Sequence, residues 1–131
     1  MGMTPENYWQ RCAEGVARTS DDFFPNIPES LAEHAIENAY CSLLIGCLCY
    51  CDWDMFWTRH PHARTHMLLR WISGGPIYCS DKLGETDSAP LAPLFDADGN
   101  LTHPDGVGVP VLDSLLADPA VSYTHLRAHE T

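Results

Sequence analysis

The segment CDWDMFWTRHPH, from Cys51 to His62, places Asp52 and Asp54 on either side of Trp53 within an otherwise apolar run. Ionised carboxylates are costly among apolar side chains unless they are paired, bind a ligand or line a wet pocket. Pro61 occupies a position typical of the first turn of a helix, so the run predicts a short strand followed by a helix. A polar site is therefore expected where this strand ends.

The same order of strand, acidic residues and helix recurs on both sides of this segment. GVART, residues 15–19, is a short β-leaning run that leads into SDDFFPN, and PIYC, residues 76–79, has a buried-strand pattern that leads into SDK. From Pro28 to about Cys49, apolar residues recur every four positions, which predicts a helix with a wide buried face. Because connections of this length do not form hairpins, the pattern predicts a parallel sheet and an α/β fold.

Proline and glycine mark the ends of two further helices. Thr4 and Pro5 have the residue types of a helix start, and Gly15 is a suitable stop. A second helix is expected to follow Pro61 and to end at Gly74, with one apolar face: Ala63, Met67, Leu68 and Trp71. The Pro-, Gly- and Asp-rich residues that follow predict long loops, a turn at Asp98–Gly99 and a short helix at Val111–Leu116.

Each predicted strand ends in acidic residues. Asp21 and Asp22 follow the first strand, Asp52 and Asp54 the second, and Asp81 the third. The C-terminal ends of parallel barrel strands converge on one active site, so we expect these carboxylates to share a pocket. The alternative is that each aspartate caps the helix that follows it.

Composition restricts the partners and the compartment. The chain has 131 residues and a net charge of -11, which disfavours binding to nucleic acid and to anionic membranes. No apolar run reaches the roughly 18 residues of a membrane span, and no secretory signal pattern is present. The 6 cysteines are interpreted as reduced, mostly buried small hydrophobes, which predicts a reducing compartment and a cytoplasmic location.

Five motifs resemble the raffinose synthase, alkaline α-galactosidase and seed imbibition protein group of glycoside hydrolase family 36. They are RTSDDFFPN, NAYCSLL, DWDMFWTRHPHA, ISGGPIYCSDKLG and DADGNL, and the resemblance extends from about Met3 to Pro119. It implies a (β/α)8 barrel, with residues 1–84 forming about its last three β/α units and residues 85–120 a loop-rich segment leading out of it. It also implies hydrolysis or galactosyl transfer on α-galactoside oligosaccharides, with retention of configuration and without metal or cofactor.

Retention requires two carboxylates, a nucleophile and an acid/base about 5 Å apart. The resemblance places the acid/base on Asp21, with Asp22 as the second choice. It assigns substrate binding to residues at the strand ends, with the Trp53 ring facing the sugar: Arg18, Asp22, Asp52, Trp53, Asp54 and Asp81.

The chain also departs from this group in two respects. The group's nucleophile lies on the fourth strand, upstream of anything present here, so we expect this chain alone to be inactive and poorly soluble. Thr86 precedes Asp87 where the group commonly has histidine, and Val109 and Leu112 replace arginines. Loop contacts that choose the substrate are therefore expected to differ.

Two other classes of function compete with the enzyme, and the first is a His/Cys metal-binding module. His60, His62 and His66 are close in sequence, and the last two have the i, i+4 spacing of paired zinc ligands, although HPHARTH lacks the glutamate of H-E-x-x-H. A non-catalytic carbohydrate-binding or structural relative is the second alternative, against which the adjacent acids Asp21 and Asp22 argue.

The last residues, VSYTHLRAHET from Val121 to Thr131, match the in-frame translation of a common transposase sequencing adapter. They are therefore interpreted as an artefact and left out of the fold prediction.

Overall fold

The structure is a computed structural model that describes residues 15–111 and the backbone of residues 126–127. The helix predicted from Thr4 lies outside the described residues up to its stop at Gly15. The helix predicted at Val111–Leu116 lies outside them beyond Val111, which is not helical. Most of the adapter-like tail also lies outside them.

Within the described residues, the regular structure consists of two longer helices, one 3-10 turn and four short strands. In chain order they are β1 (Val16–Arg18), α1 (Ser30–Ile45), β2 (Tyr50–Asp52), α2 (Ala63–Ile72), a 3-10 turn (Ala92–Leu94), β3 (Val109–Pro110) and β4 (Leu126–Arg127). None of the described helices is long and apolar enough to cross a membrane.

The first two predicted strands pair in parallel, as the sequence indicated. Val16 lies opposite Tyr50 and Arg18 opposite Asp52, with α1 as the crossover between the strands. β3 and β4 form a separate antiparallel pair. The parallel register is what places the side chains that end β1 and β2 next to each other.

The main core lies between α1 and the parallel strands. Cys51 and Ala39 are fully buried there, and Trp53 is 1% exposed. The indole Nε1 of Trp53 donates a hydrogen bond of 2.9 Å to the Ser42 hydroxyl of α1. This residue therefore joins the end of β2 to the helix, and it lies in the core instead of turning its ring towards a sugar.

Helix α1 is shorter than predicted and buries only part of the predicted apolar face, including Leu31 and Ala39. It ends at Ile45, and Leu43, Leu44 and Leu48 are 40%, 76% and 51% exposed. A row of residues spaced by four advances about 40° beyond a full turn at each step, so a row that starts on the core leaves it by the fourth turn. The buried side chains follow the true helical period, and most of them are polar: Ser30, Leu31, His34, Asn38, Ala39, Ser42 and Ile45.

The third predicted strand, PIYC, does not form. One parallel bridge joins Cys79 to Phe56, with the Ser80 N–H donating to the Phe56 carbonyl at 3.1 Å. Pro76 has no N–H for a ladder, and Asp54 turns the partner chain through φ 63°, so pairing is limited to this point. Tyr78 and Cys79 are exposed here instead of buried.

Helix α2 also buries polar side chains. Ala63 and Met67 face the core as predicted, but Leu68 is 47% exposed, while His66 and Arg70 are 0% and 1% exposed. Downstream, the predicted turn at Asp98–Gly99 is confirmed: Gly99 has φ 83°, and Asp96 Oδ1 accepts the N–H groups of Asp98 and Asn100.

Gly75 packs too closely on β2 to accept a side chain. A Cβ at this position would overlap the carbonyl oxygen of Cys51. We expect Gly75→Ala to lower the free energy of unfolding by about 1–3 kcal/mol, because a backbone neighbour cannot rotate away. Urea unfolding followed by circular dichroism measures this change.

Leu83→Ala is the matched control, because Leu83 is 100% exposed. It should stay within about 0.5 kcal/mol of the parent chain. A Gly75→Ala chain as stable as the Leu83→Ala chain would contradict this packing.

Candidate active site

Four polar side chains meet at the C-terminal ends of β1 and β2, and we call them the carboxylate cluster: Arg18, Asp52, Asp54 and Tyr78. The guanidinium of Arg18 lies between the two aspartates, with Nη2 2.7 Å from Asp54 Oδ1 and Nε 3.3 Å from Asp52 Oδ2. The Tyr78 hydroxyl lies 3.0 and 3.1 Å from the two carboxylate oxygens of Asp52. Strand ends from distant parts of the chain thus form one polar surface.

The aspartates of this cluster stabilise the charged form of Arg18 and the neutral form of Tyr78. Burial alone lowers the pKa of Arg18, but the charges of Asp54 and Asp52 outweigh it and raise that pKa. Burial, followed by the Asp52 charge, raises the pKa of Tyr78 to about 12. Tyr78 is therefore a neutral hydrogen-bond donor to carboxylates at neutral pH.

Asp54 is the most constrained member of the cluster. Its backbone is left-handed, with φ 63°, and the residue is 4% exposed. Its Oδ2 accepts the Phe23 N–H at 2.8 Å, and its own N–H donates to Asp52 Oδ1 at 2.9 Å. Such a conformation costs about 1–3 kcal/mol for a residue with a side chain and persists only where the surroundings enforce it.

The aspartates do not cap the helices that follow them. The N-cap residues of α1 and α2 are Glu29 and His62, and neither makes a side-chain capping bond. Asp52 and Asp54 instead bind Arg18, so the helix-capping alternative is wrong for them.

The two adjacent acids after β1 have different surroundings. Asp22 Oδ1 lies 3.4 Å from Arg18 Nη1, which brings an 84% exposed carboxylate to the edge of the cluster. The backbone of Asp21 is bound to α1: its N–H donates to Glu37 at 3.1 Å, and its carbonyl oxygen is 2.8 Å from His34 Nε2. Of the two, Asp22 is the residue that an ion pair connects to the cluster.

His34 of α1 binds the loop that follows β1. Its Nε2 also lies 2.8 Å from the Ser20 hydroxyl, and its Nδ1 lies 3.3 Å from the side-chain amide nitrogen of Asn38. Burial lowers the pKa of His34, so the ring is neutral near pH 7. With Nδ1 accepting from the Asn38 amide, Nε2 carries the proton and donates it to the Asp21 carbonyl.

The sequence predicts that Asp81 shares this pocket, but in the structure Asp81 does not join the carboxylate cluster. Its carboxylate accepts the N–H and the hydroxyl of Thr58, at 2.8 and 2.9 Å. Slight burial raises the pKa of Asp81, but these hydrogen bonds outweigh it and lower that pKa. Asp81 therefore ties the segment after Cys79 to the residues that precede α2.

Tyr78 is the cluster member that the sequence analysis missed. Its hydroxyl accepts from Arg18 Nη2 at 3.2 Å and contacts Asp54 Oδ1 at 3.4 Å. The available signal was its place beside Cys79, which pairs with the segment that follows DWD. Alternation along that segment turns neighbouring side chains to opposite faces, and Tyr78 faces the acids.

A buried arginine lies beneath the cluster. Arg70 of α2 donates from Nε to the Asp54 carbonyl and from Nη2 to the Met55 carbonyl, both at 3.0 Å. Its Nη1 lies 2.9 Å from His66 Nδ1. Burial, then the charge of Arg70, lowers the pKa of His66 to about 2, so this histidine is neutral.

These contacts bear on the metal alternative and on the cysteines. His66 is buried against Arg70, whereas His62 is exposed at the start of α2. Within residues 15–111, no group of three or more His, Cys, Asp or Glu could hold a metal ion. Of the cysteines described, none is in a disulfide; Cys49 and Cys51 are buried but Cys47 and Cys79 are exposed, so burial is less general than predicted.

A cavity of about 580 Å³ lies away from this chemistry. It is bounded by Val16 and Tyr50, the first residues of β1 and β2, and by residues 103–107. The charged side chains gather at the other end of the strands, so the cluster is the candidate site.

Comparisons with known proteins agree on one family. The family described as "Raffinose synthase or seed imbibition protein Sip1" matches residues 3–127. A "Probable galactinol–sucrose galactosyltransferase 6" of Arabidopsis thaliana is 43% identical over 80% of the chain, and a galactinol–sucrose galactosyltransferase of Oryza sativa subsp. japonica is 36% identical over 82%. A stachyose synthase of Pisum sativum is 32% identical over 83%. The chain spans about one seventh of these relatives, 14%, 15% and 14% of their lengths.

The neutral, buried His66 makes stability depend on pH. Its pKa is about 2 in the folded chain and 6.5 when unfolded, so the unfolded chain binds an extra proton between these values. We expect the free energy of unfolding to fall as the pH drops below 6.5, by up to about 1.4 kcal/mol per pH unit from this group. Urea titrations from pH 7 to pH 4 measure this slope.

His66→Gln should make the slope shallower, since glutamine offers Arg70 an acceptor but does not titrate. His62→Gln, at an exposed position, should leave it unchanged. Equal slopes in the parent and in His66→Gln would show that His66 does not carry the effect.

Proposed function

This chain belongs to the raffinose synthase and seed imbibition protein family, and from that premise we propose that it is part of an α-galactoside-acting enzyme. Its role there is to bind a galactosyl group and to supply the acid/base of a retaining glycosyl transfer. The observation that carries the proposal is the carboxylate cluster at the C-terminal ends of two parallel strands. Further support comes from relatives named for galactosyl transfer.

The cluster has the polarity that a neutral sugar requires. A sugar hydroxyl both donates and accepts hydrogen bonds, and the cluster offers carboxylate acceptors beside a guanidinium donor. Hydrogen bonds to charged groups are about twice as strong as those between neutral groups. Because Arg18 and Tyr78 hold Asp52 and Asp54 in place before a ligand arrives, little ordering remains to be done on binding.

The acid/base role falls to Asp22 in this proposal, in preference to Asp21. Asp22 is connected to the cluster through Arg18 and is exposed, so its carboxyl group can reach a glycosidic oxygen. The Asp21 backbone is tied to His34 and Glu37 on α1. This choice reverses the order that the resemblance implied.

The reaction proceeds in two steps with retention. First, the carboxyl proton of Asp22 passes to the leaving oxygen as its bond to the anomeric carbon breaks and a nucleophilic carboxylate bonds to that carbon. Then the Asp22 carboxylate takes the proton of an acceptor hydroxyl, which attacks the anomeric carbon and releases the nucleophile. Water as the acceptor gives hydrolysis, and a sugar hydroxyl gives transfer.

We place the nucleophile on a part of the enzyme outside this chain. The crossover of β1, α1 and β2, with the parallel bridge from Phe56 to Cys79, supports an assignment to consecutive units of a (β/α)8 barrel. Relatives of which the matched segment covers only 14% have room for the remaining units. The 131-residue chain by itself is therefore proposed to be inactive.

A chimera tests this function. Residues 3–119 replace the matching segment of the Oryza sativa galactosyltransferase, and galactosyl transfer from galactinol to sucrose is measured. We expect an active chimera in which Asp22→Asn lowers kcat by about 10² to 10⁴, the usual contribution of a general acid. With an aryl galactoside, whose leaving group needs no proton, Asp22→Asn should slow the first step much less. Added azide should restore turnover of this variant.

Asp21→Asn is the matched control and should lose less than about tenfold, because the backbone contacts of Asp21 do not use its carboxylate. If Asp21→Asn instead showed the azide rescue, the acid/base would be Asp21. An inactive chimera that still binds galactinol would favour a binding role for this segment.

A further inference from the structure

Arg70 makes an unusual set of contacts for a buried cation. It is 1% exposed, and its guanidinium donates to two consecutive carbonyl oxygens, those of Asp54 and Met55. The third nitrogen lies within hydrogen-bond distance of His66 Nδ1 and His66 O, at 2.9 and 3.3 Å. An arginine is needed here because only its planar fork can donate to several acceptors at once.

One of the two carbonyls belongs to Asp54, and the other belongs to the next residue. Asp54 is the one described non-glycine residue with a positive φ. In this conformation the chain turns sharply after β2, so the carbonyls of Asp54 and Met55 point to α2 while the Asp54 carboxylate points to Arg18. Without a donor, the buried Asp54 carbonyl would be unsatisfied, at about 1–3 kcal/mol, and the half-buried Met55 carbonyl would lose a hydrogen bond. Arg70 thus stabilises a turn that is unfavourable by itself.

Phe23 contacts both Arg70 and the carboxylate of Asp54. The guanidinium carbon of Arg70 lies 5.8 Å from the centroid of the Phe23 ring and 5.8 Å from that of Phe56. The backbone N–H of the same Phe23 donates to Asp54 Oδ2. Arg70 therefore holds the carbonyl of Asp54, and the Phe23 N–H holds its carboxylate. Arg70 and Phe23 also contact each other.

We propose that Arg70 is a positioning residue for galactoside recognition, which acts by holding Asp54 in its left-handed conformation with the carboxylate in the cluster. This inference rests on the proposed function. His66 assists by accepting from Nη1, and its other ring nitrogen, Nε2, is buried without a hydrogen-bond partner. The buried N–H without a partner is unfavourable for stability. This arrangement therefore fits a role for His66 in orienting Arg70.

A purely structural role for Arg70 is the competing explanation, and a double-mutant cycle separates the two. If Arg70 acts through Asp54, its substitution has little effect once the Asp54 carboxylate is absent. If it only stabilises α2, its effect is the same in either background.

The test uses Arg70→Lys, Asp54→Asn and the double variant in the chimera described above. Lysine keeps the charge but cannot form the fork. We expect Arg70→Lys to lower kcat/KM for galactinol by about tenfold to a hundredfold, the scale of an ångström of misplacement. In the Asp54→Asn background the same change should cost less than about threefold.

Met67→Ala is the control for lost stability, because Met67 is 0% exposed on the same helix and packs with Phe56 and Leu94. It should lower the melting temperature without a selective loss in kcat/KM. Should Arg70→Lys fail to fold, Arg70→Gln, which retains a donor for one carbonyl, takes its place in the cycle.

Hydrogen exchange of the Phe23 amide, read by mass spectrometry in the chimera and in the full 131-residue chain, is independent of activity. This amide should exchange about tenfold faster in Arg70→Lys and at the parent rate in Met67→Ala. Unchanged Phe23 exchange, or a cycle in which the two substitutions are additive, would overturn the inference. A parent chimera without transfer activity would refute the proposed function alone, and the exchange result would still decide whether Arg70 holds Asp54.

Discussion

The ion pairing of Arg18 with Asp52 and Asp54 is the interaction on which the rest of the site depends. Two carboxylates at the end of one strand repel each other and lose hydration, a cost that only an opposite charge in good geometry offsets. Parallel pairing brings Arg18 to that place, because it lies opposite Asp52 in the register of β1 and β2. The strand register and the charge balance of the site therefore support each other.

This arrangement extends into an interior that is unusually polar near the site. His34, Asn38 and Ser42 face the strands from α1, and Arg70 faces them from α2, all of them buried. Each of the four has a hydrogen-bond partner on a loop or strand end that carries the cluster or supports it, which for Asn38 is the Thr19 hydroxyl after β1. Satisfied polar networks of this kind specify one arrangement more strictly than apolar packing does.

For the sugar ligand that we propose, which is made mostly of hydroxyl groups, such rigidity has a clear use. The Asp54 carboxylate is held by three residues and its carbonyl by a fourth, so its direction does not depend on a bound sugar. Groups that are already oriented need no reorganisation when a substrate binds or when charge develops in the transition state. The left-handed turn at Asp54 belongs to this rigid arrangement, as is common for strained residues near functional sites.

The sequence by itself determined the order of the first two strands, their acids and the helices α1 and α2, the parallel pairing of those strands, the turn at Asp98–Gly99 and the family. These follow from local patterns: periodicity, turn residues and motifs within a few residues of one another. Only the tertiary structure decided which acids meet, because Asp81 turns to Thr58 and Tyr78 takes its place beside Asp52. It also decided that Trp53 lies in the core and that Arg70 is buried, since both depend on the turn at Asp54 and on partners 11 and 16 positions away in sequence.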